Sequence, residues 1–295
     1  MSTAVSTAAM SRVPERHAVS ARRRARERTM QVLLALSALG AATLLVIILG
    51  YVIVRGAPAL NVAFFTERPL PFGVEGGGVG PAVVGTVILS VLAGVLAIPI
   101  GIASAIFVTE FRSGRLAPAV RFAAELIAGL PSIVVGVFVW AFLVRSVIGH
   151  YAALAGAIAL AIIMIPIVAR TVEEVLRLVP QSLREAGLAL GAPRWRVVLS
   201  IVVPTARAGI ATAVVLAVAR AAGETAPLLL TALGNLFFST DLLRPISALP
   251  LQIYQYAASP YDDWHTKAWG SSLVLVGVIA LLSLALRLAI RRGAR

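Results

Sequence analysis

Residues 29–54, TMQVLLALSALGAATLLVIILGYVIV, run for 26 positions without one charged side chain. About 20 apolar residues in a helix suffice to cross a hydrocarbon core roughly 30 Å thick. The run is also too long for the apolar core of a signal peptide, so it reads as a membrane span. The whole chain agrees with that reading. Of its 295 residues, 59% are hydrophobic and 13% charged, and its mean hydropathy is +0.94. A soluble domain is about half apolar and about a quarter charged.

Working outward from that run, five more windows qualify: Ala82–Thr109, Phe122–Val144, Tyr151–Ala169, Ala208–Leu233 and Ala268–Leu286. The expectation is an all-α integral membrane protein with six transmembrane helices over 29–290. Arginine bias sets the orientation, because positive segments stay in the cytoplasm. With both termini cytoplasmic, the inner segments carry 20 basic residues and the outer ones five. Residues 1–28, rich in Ser, Ala and Arg, read as a disordered basic cytoplasmic tail, and 291–295 as a short cytoplasmic tail. Binding of tail 1–28 to anionic lipid competes there with orientation alone. Segment 56–81 reads as an external loop.

The net charge of +13 would suggest a nucleic-acid partner in a soluble domain. Here the charge lies almost wholly in the cytoplasmic segments, so no nucleic acid is expected. With no cysteine and a single lysine, Lys267, preceded by His265-Thr266, there is no thiolate site and no phosphate-binding loop for ATP. His17, His150 and His265 are too far apart for a two-histidine helical metal motif. Neither catalytic residues nor a metal or cofactor are expected.

Two stretches carry chemistry. The loop 170–207 holds nine charges and reads as two short amphipathic helices. Ser182-Leu183-Arg184-Glu185 has capping-box spacing, and Leu183, Ala186, Gly187 and Leu190 share one face. Gly191 stops the first helix and Pro193 suits the first turn of the second. The second places Trp195, Val198, Leu199 and Val202 together and ends before Pro204. Docking to a cytosolic partner and lying on the membrane surface both fit such helices.

The other stretch is Ala219-Arg220-Ala221-Ala222-Gly223-Glu224-Thr225-Ala226-Pro227 in the fifth window. At 1.5 Å per residue, Arg220 lies about 18 Å beyond Ala208 and Glu224 about 24 Å, near mid-membrane. Charges at such depth pair with each other or face a polar pathway. Arg220 and Glu224 are neighbours at i, i+4, and Pro227 leaves the Gly223 carbonyl without its helical donor. A structural ion pair is one reading. The other is an anion station, in which the guanidinium fork grips an oxyanion and Glu224 neutralises it when the site is empty. Prolines also interrupt the second to fourth windows at Pro99, Pro131 and Pro166. Arg170, followed by Glu173, Glu174 and Arg177, fits local pairing at a helix end or a second anion contact near the inner exit.

Glu185-Ala186-Gly187, Gly191 and Ile201-Val202-Val203-Pro204 resemble the E-A-A-x(3)-G-x(9)-I-x-L-P motif of bacterial ABC importer permeases, with Gly187 for Ala and Val203 for Leu. The resemblance implies a type I-like importer architecture, with Glu185, Ala186, Gly187 and Gly191 coupling to a separate ATPase. Over roughly 75–290 the chain is similar to the A-type permeases of phosphate importers. The runs that carry this are Gly77-Gly78-Val79-Gly80-Pro81, Leu130-Pro131-Ser132-Ile133-Val134, Ile167-Val168-Ala169-Arg170-Thr171, Gly223-Glu224-Thr225-Ala226-Pro227-Leu228-Leu229 and Leu249-Pro250-Leu251-Gln252-Ile253-Tyr254.

That branch implies a non-enzymatic permease subunit in the bacterial inner membrane that translocates inorganic phosphate. The implied partners are a C-type permease, an ATP-binding subunit dimer that holds the ATP, and an extracytoplasmic phosphate-binding protein. Arg220, Glu224, Thr225 and Arg170 become the substrate-pathway candidates. The competing functions are an ABC permease for molybdate or sulfate and an ion-coupled secondary transporter.

Overall fold

The computed structural model describes residues 21–71, 74, 76–111 and 115–292. Residues 1–20 of the expected tail and 293–295 of the C-terminal tail lie outside the described residues. The chain divides into two units, Met1–Tyr51 and Val52–Arg295.

In the first unit, helix α1 runs from Ala21 and continues to Gly56 in the second. It therefore begins well before Thr29, which corrects the expected tail boundary. Alanine and arginine are among the stronger helix formers, so the Ala21–Arg28 stretch extends the apolar helix. Its Ser37 and Thr43 hydroxyls return to the carbonyls of Leu33 and Leu39, 2.9 and 2.8 Å away. These two hydroxyls are thereby satisfied within the helix.

The regular elements of the second unit are helices, with one isolated bridge, Leu233–Ile246, among the described residues. A short 3-10 turn, Ala57–Ala59, leads to α2, Val62–Thr66, which Asn61 caps by accepting the Phe64 amide at 2.8 Å. The long helices α3, Gly80–Glu110, and α4, Leu116–Gly129, follow. Next come α5, Ser132–Val139, widened into a π-helix over Trp140–Ile148, and α6, Ala153–Arg177. After α7, Gln181–Ala189, α8, Arg194–Val197, passes through a π-turn at Val198–Val202 into α9, Val203–Ala222. The chain closes with α10, Ala226–Thr231, α11, Leu249–Ala257, and α12, Asp262–Arg292.

Five of the described helices are long and apolar enough to span a membrane, by length and composition, and the bent pair Leu116–Gly129 and Ser132–Ile148 makes a sixth where it counts as one span. Each of the six windows falls on helix, giving five or six spans, not all as straight rods. In the third, the helix turns through 101° between α4 and α5. The cause is local: a residue before proline is pushed out of the helical region, and Leu130 sits at φ −73°, ψ 136°. In the fifth, helix runs from Arg194 rather than Ala208, and Pro204 does not end it. The amide of Val203 reaches back to the Val198 carbonyl, a wide turn that re-registers the helix just before the residue lacking an N–H. Pro99 and Pro166 lie inside unbroken helices.

The core sits where α3 meets α6. Ala93, Ala97 and Ala105, all buried, fall in one register with Gly101 at every fourth position of α3. Small residues in that spacing let membrane helices approach closely. At Gly101 the approach is complete: a Cβ there would lie 2.7 Å from Val168 Cβ and 3.1 Å from the Ile165 carbonyl oxygen. Helix α9 adds Ala206, Ala213 and Ala217 to the same cluster. At the other end, the buried Thr86 hydroxyl accepts the Leu249 amide at 2.8 Å and fixes the start of α11.

Candidate functional site

Helices α7 and α8 form a short hairpin at the end of α6. Gly191 turns the chain at φ +79°, a left-handed conformation that glycine adopts without strain. The amide of Ala192 closes the turn on the Gly187 carbonyl at 3.3 Å. The expected capping box is not formed: the helix starts at Gln181 after Pro180, so Ser182 lies within its first turn and no side chain caps it. Pro193 is the residue that precedes α8.

Glu185, Ala186 and Gly191 are exposed, whereas Gly187 is buried against Val197 and Ile201 of the next helix. The expected stripe of Leu183, Ala186, Gly187 and Leu190 therefore divides. Gly187 packs inward and Leu190 is 88% exposed. With Leu178, Leu188, Trp195 and Leu199, also exposed, it leaves the hairpin an apolar outer face. Exposed apolar side chains at such helix ends suit contact with a partner or with lipid.

Beneath this hairpin lies a contact with no local sequence signal. Arg184 of α7 meets Glu110, the last residue of α3, with Nε 3.1 Å from both carboxylate oxygens and Nη2 2.6 Å from Oε1. Its Nη1 and Nη2 also donate to the carbonyls of Val179 and Leu176, 2.6 and 2.9 Å away, at the end of α6. The side chains are 13% and 5% exposed. Seventy-four positions separate the two residues, and the sequence shows each only as a charge at the edge of an apolar or polar segment.

The second polar feature is the interruption of the fifth span. Helix α9 ends at Ala222, Gly223-Glu224-Thr225 leave the helix, and Pro227 lies in the first turn of α10. The proline thus starts a new helix rather than kinking an old one. Arg220, in the last turn of α9, places Nε 3.9 Å from Oε1 of Glu224. The i, i+4 spacing brings the two together across a break. That separation is an ion pair and too long for a hydrogen bond. Arg220 is 65% exposed and Glu224 17%, and no hydrogen bond to the guanidinium is present among the described residues. Thr225 precedes α10 without a side-chain cap.

The two broken spans touch. A Cβ on Gly136 of α5 would lie 2.7 Å from Cα of Pro227, so the helices that restart after Pro131 and after Thr225 pack backbone to backbone. Broken helices in a membrane occur where the freed backbone groups are buried in protein or line a polar cavity.

Arg170 lies elsewhere. Helix α6 continues past it to Arg177, so it is not at a helix end. It pairs across to Glu125 of α4 at 3.9 Å rather than with Glu173 or Glu174. Glu173 is taken by Arg121 and Arg177, 2.5 and 2.6 Å away. Arg220 and Glu224 are brought together and Thr225 follows next in the chain, while no ion pair joins Arg170 to them among the described residues. No cluster of metal-ligating side chains is present among the described residues either.

A family model described as the binding-protein-dependent transport system inner membrane component matches residues 97–292, which include both the hairpin and the break. The chain is 43% identical over 244 residues to the phosphate transport system permease protein PstA of Yersinia pestis, covering 82% of each chain. It is 44% identical over 236 residues to the protein of the same name from Haemophilus influenzae, covering 79% of this chain and 83% of that one. Its fold is similar to a chain in the crystal structure of a bacterial ABC transporter involved in the import of the acidic polysaccharide alginate. That likeness has a TM-score of 0.59 at 15% identity, over 92% of this chain and 98% of the other, and concerns the fold alone. The chain belongs to the family of binding-protein-dependent transport system inner membrane components, as a multi-pass ABC transporter permease of the PstA group.

Proposed function

We propose that this protein is one permease subunit of an ATP-driven importer of inorganic phosphate in the bacterial inner membrane, with both termini cytoplasmic. The observation that carries the substrate is the 43% identity to a phosphate permease over 82% of both chains. A C-type permease supplies the other half of the pathway, a phosphate-binding protein delivers the anion from outside, and a dimer of ATP-binding subunits docks on the hairpin. Glu185, Ala186, Gly187 and Gly191 shape that docking surface, and the exposed Leu190 and Trp195 give it apolar area. This chain makes and breaks no covalent bond. ATP is held by the partner.

Arg220, Glu224 and Thr225 would form the anion station. A guanidinium offers a planar fork of donors that suits a tetrahedral oxyanion, and here only a loose ion pair occupies it. Phosphate displaces Glu224 from Arg220, and the Thr225 hydroxyl supplies another donor. Arg170, paired with Glu125 at 3.9 Å, would take the anion later on its way.

Phosphate uptake by cells carrying Arg220→Ala and Arg220→Lys tests this reading. The alanine variant should lose at least ten-fold in uptake at normal expression, and the lysine variant should keep part of it. Wild-type uptake by Arg220→Ala removes the anion station. Competition of uptake by sulfate or molybdate as strong as by unlabelled phosphate would reassign the substrate.

A further inference from the structure

The Glu110–Arg184 pair joins three elements that have no other reason to share a side chain. Its carboxylate ends α3, its guanidinium belongs to α7, and the carbonyls it also binds are those of Leu176 in the last turn of α6 and Val179 just beyond it. Five donor contacts on one guanidinium, to a carboxylate and to two backbone carbonyls near a helix end, use nearly all its hydrogen-bonding capacity. A charge this enclosed is tolerated only because both the charge and the hydrogen-bond demand are met. Meanwhile α3 and α6 are the best-packed pair of helices, closed at Gly101 to backbone contact.

We infer that Arg184 and Glu110 are positioning residues for energy coupling: they fasten the hairpin to the α3–α6 core so that displacement of α7 moves those helices as one body. The inference rests on the proposal that the α7–α8 hairpin receives the ATPase. Without the pair, α7 remains attached through the Val179–Pro180 connection and through Gly187 against Val197 and Ile201. The Gly187 contact leads to α8 and on to α9, and the chain connection leads into the end of α6, so neither reaches α3 directly. A push on the hairpin would then reach α9 and the end of α6 with no direct tie to α3, and ATP would be hydrolysed without reorienting the pathway.

Other polar groups near the pair do not substitute for it. A cleft of about 570 Å³ beside it is lined by Thr109, Arg177, Gln181 and Arg194. Arg177 is engaged by Glu173 at 2.6 Å, and Arg194 stacks over Phe111 with its Cζ 5.8 Å from the ring centroid.

The test uses the complete transporter, expressed with its partners and reconstituted in liposomes, and reads phosphate moved per ATP hydrolysed. That ratio does not depend on how much complex assembles, so a merely structural role leaves it unchanged. Glu110→Gln keeps the shape and removes the charge, and Arg184→Lys keeps the charge and removes the fork. Both should lower the ratio ten-fold or more while ATP hydrolysis per assembled complex stays within about two-fold of wild type. An unchanged ratio overturns the inference, and so does failure of both variants to assemble, since the pair would then be a folding element. Because the chain has no cysteine, Leu190→Cys provides a single attachment point for a cross-linker. Cross-linking to the ATPase with an unchanged ratio in the pair variants sinks only the positioning role. Absence of any such cross-link in the otherwise wild-type complex sinks the docking reading itself.

Discussion

Arg184 and Arg220 each face a glutamate, and the two pairs are built in opposite ways. Arg184 and Glu110 come from different helices, touch at 2.6 Å and are 13% and 5% exposed. Arg220 and Glu224 come from one stretch of chain, stand 3.9 Å apart and are 65% and 17% exposed. The first guanidinium has its donors committed to a carboxylate and two backbone carbonyls. The second has an ion-pair neighbour and no hydrogen bond among the described residues. A charge whose bonding is complete holds parts together. One whose bonding is incomplete is free to exchange its partner for a substrate. The same two residue types thus serve attachment at the hairpin and, in the proposed function, recognition at the broken span.

Stability separates the two pairs most sharply. Glu110→Ala leaves an enclosed arginine without its counter-charge, and removal of one partner of a buried pair costs about 3 kcal/mol or more. Glu224→Ala removes a loose partner from a largely exposed arginine, where an ion pair is worth roughly 1 kcal/mol or less. In detergent-purified protein, the first substitution should lower the thermal midpoint by several degrees and the second should barely move it. Equal shifts would abolish the distinction between a fastening pair and an exchangeable one.

A smaller effect is expected at the turn that the fastened helix ends on. At Gly191 a Cβ would meet nothing within 4 Å, so Gly191→Ala is opposed only by its left-handed backbone at φ +79°. That strain is about 1–2 kcal/mol for a residue with a side chain. Hydrogen exchange should show faster opening of α8 with little change in α7, because α7 is held independently through Arg184. Equal loosening of both helices would mean that the turn, and not the ion pair, holds the hairpin.

Much of this arrangement is legible in the sequence, for reasons that the exceptions make clear. Apolar windows found the spans because membrane thickness acts on any long uncharged run. Gly191 and the i, i+4 pair of Arg220 and Glu224 were readable because each depends on neighbours within one or two turns. The proline rule worked at Pro131, where Leu130 is forced extended, but not at Pro204, where a π-turn absorbs the missing donor. Nothing in the residue types separates these two prolines. Their difference lies in whether the preceding turn can widen. Ser182 misled because its spacing to Glu185 suited a cap, yet Pro180 starts the helix earlier. Glu110 and Arg184 were invisible because their meeting depends on where the ends of α3 and α6 arrive together. Arg170 likewise found Glu125 across a helix interface in preference to its own i+3 and i+4 neighbours.

The smallest expected effect concerns Gly187, where this chain departs from the alanine of the motif it resembles. Two terms oppose each other there. Alanine gains about 1 kcal/mol over glycine inside a helix. Its Cβ, however, would lie 2.9 Å from both Ile201 Cδ1 and Val197 Cγ2. The isoleucine methyl is the far end of a flexible side chain and moves readily, while the valine methyl is tied closely to the α8 backbone and requires a small shift of the helix. The two terms nearly cancel, so Gly187→Ala should change the thermal midpoint by no more than a degree or two. The displacement it forces runs between α7 and α8, against Val197 and Ile201, and touches none of the groups that Arg184 binds. Phosphate transported per ATP should therefore stay at the wild-type value, in contrast to Arg184→Lys on the same helix. A loss of coupling in Gly187→Ala as large as in Arg184→Lys would show that the α7–α8 contact carries the motion, and the contrast between the two arginines would lose its mechanical meaning.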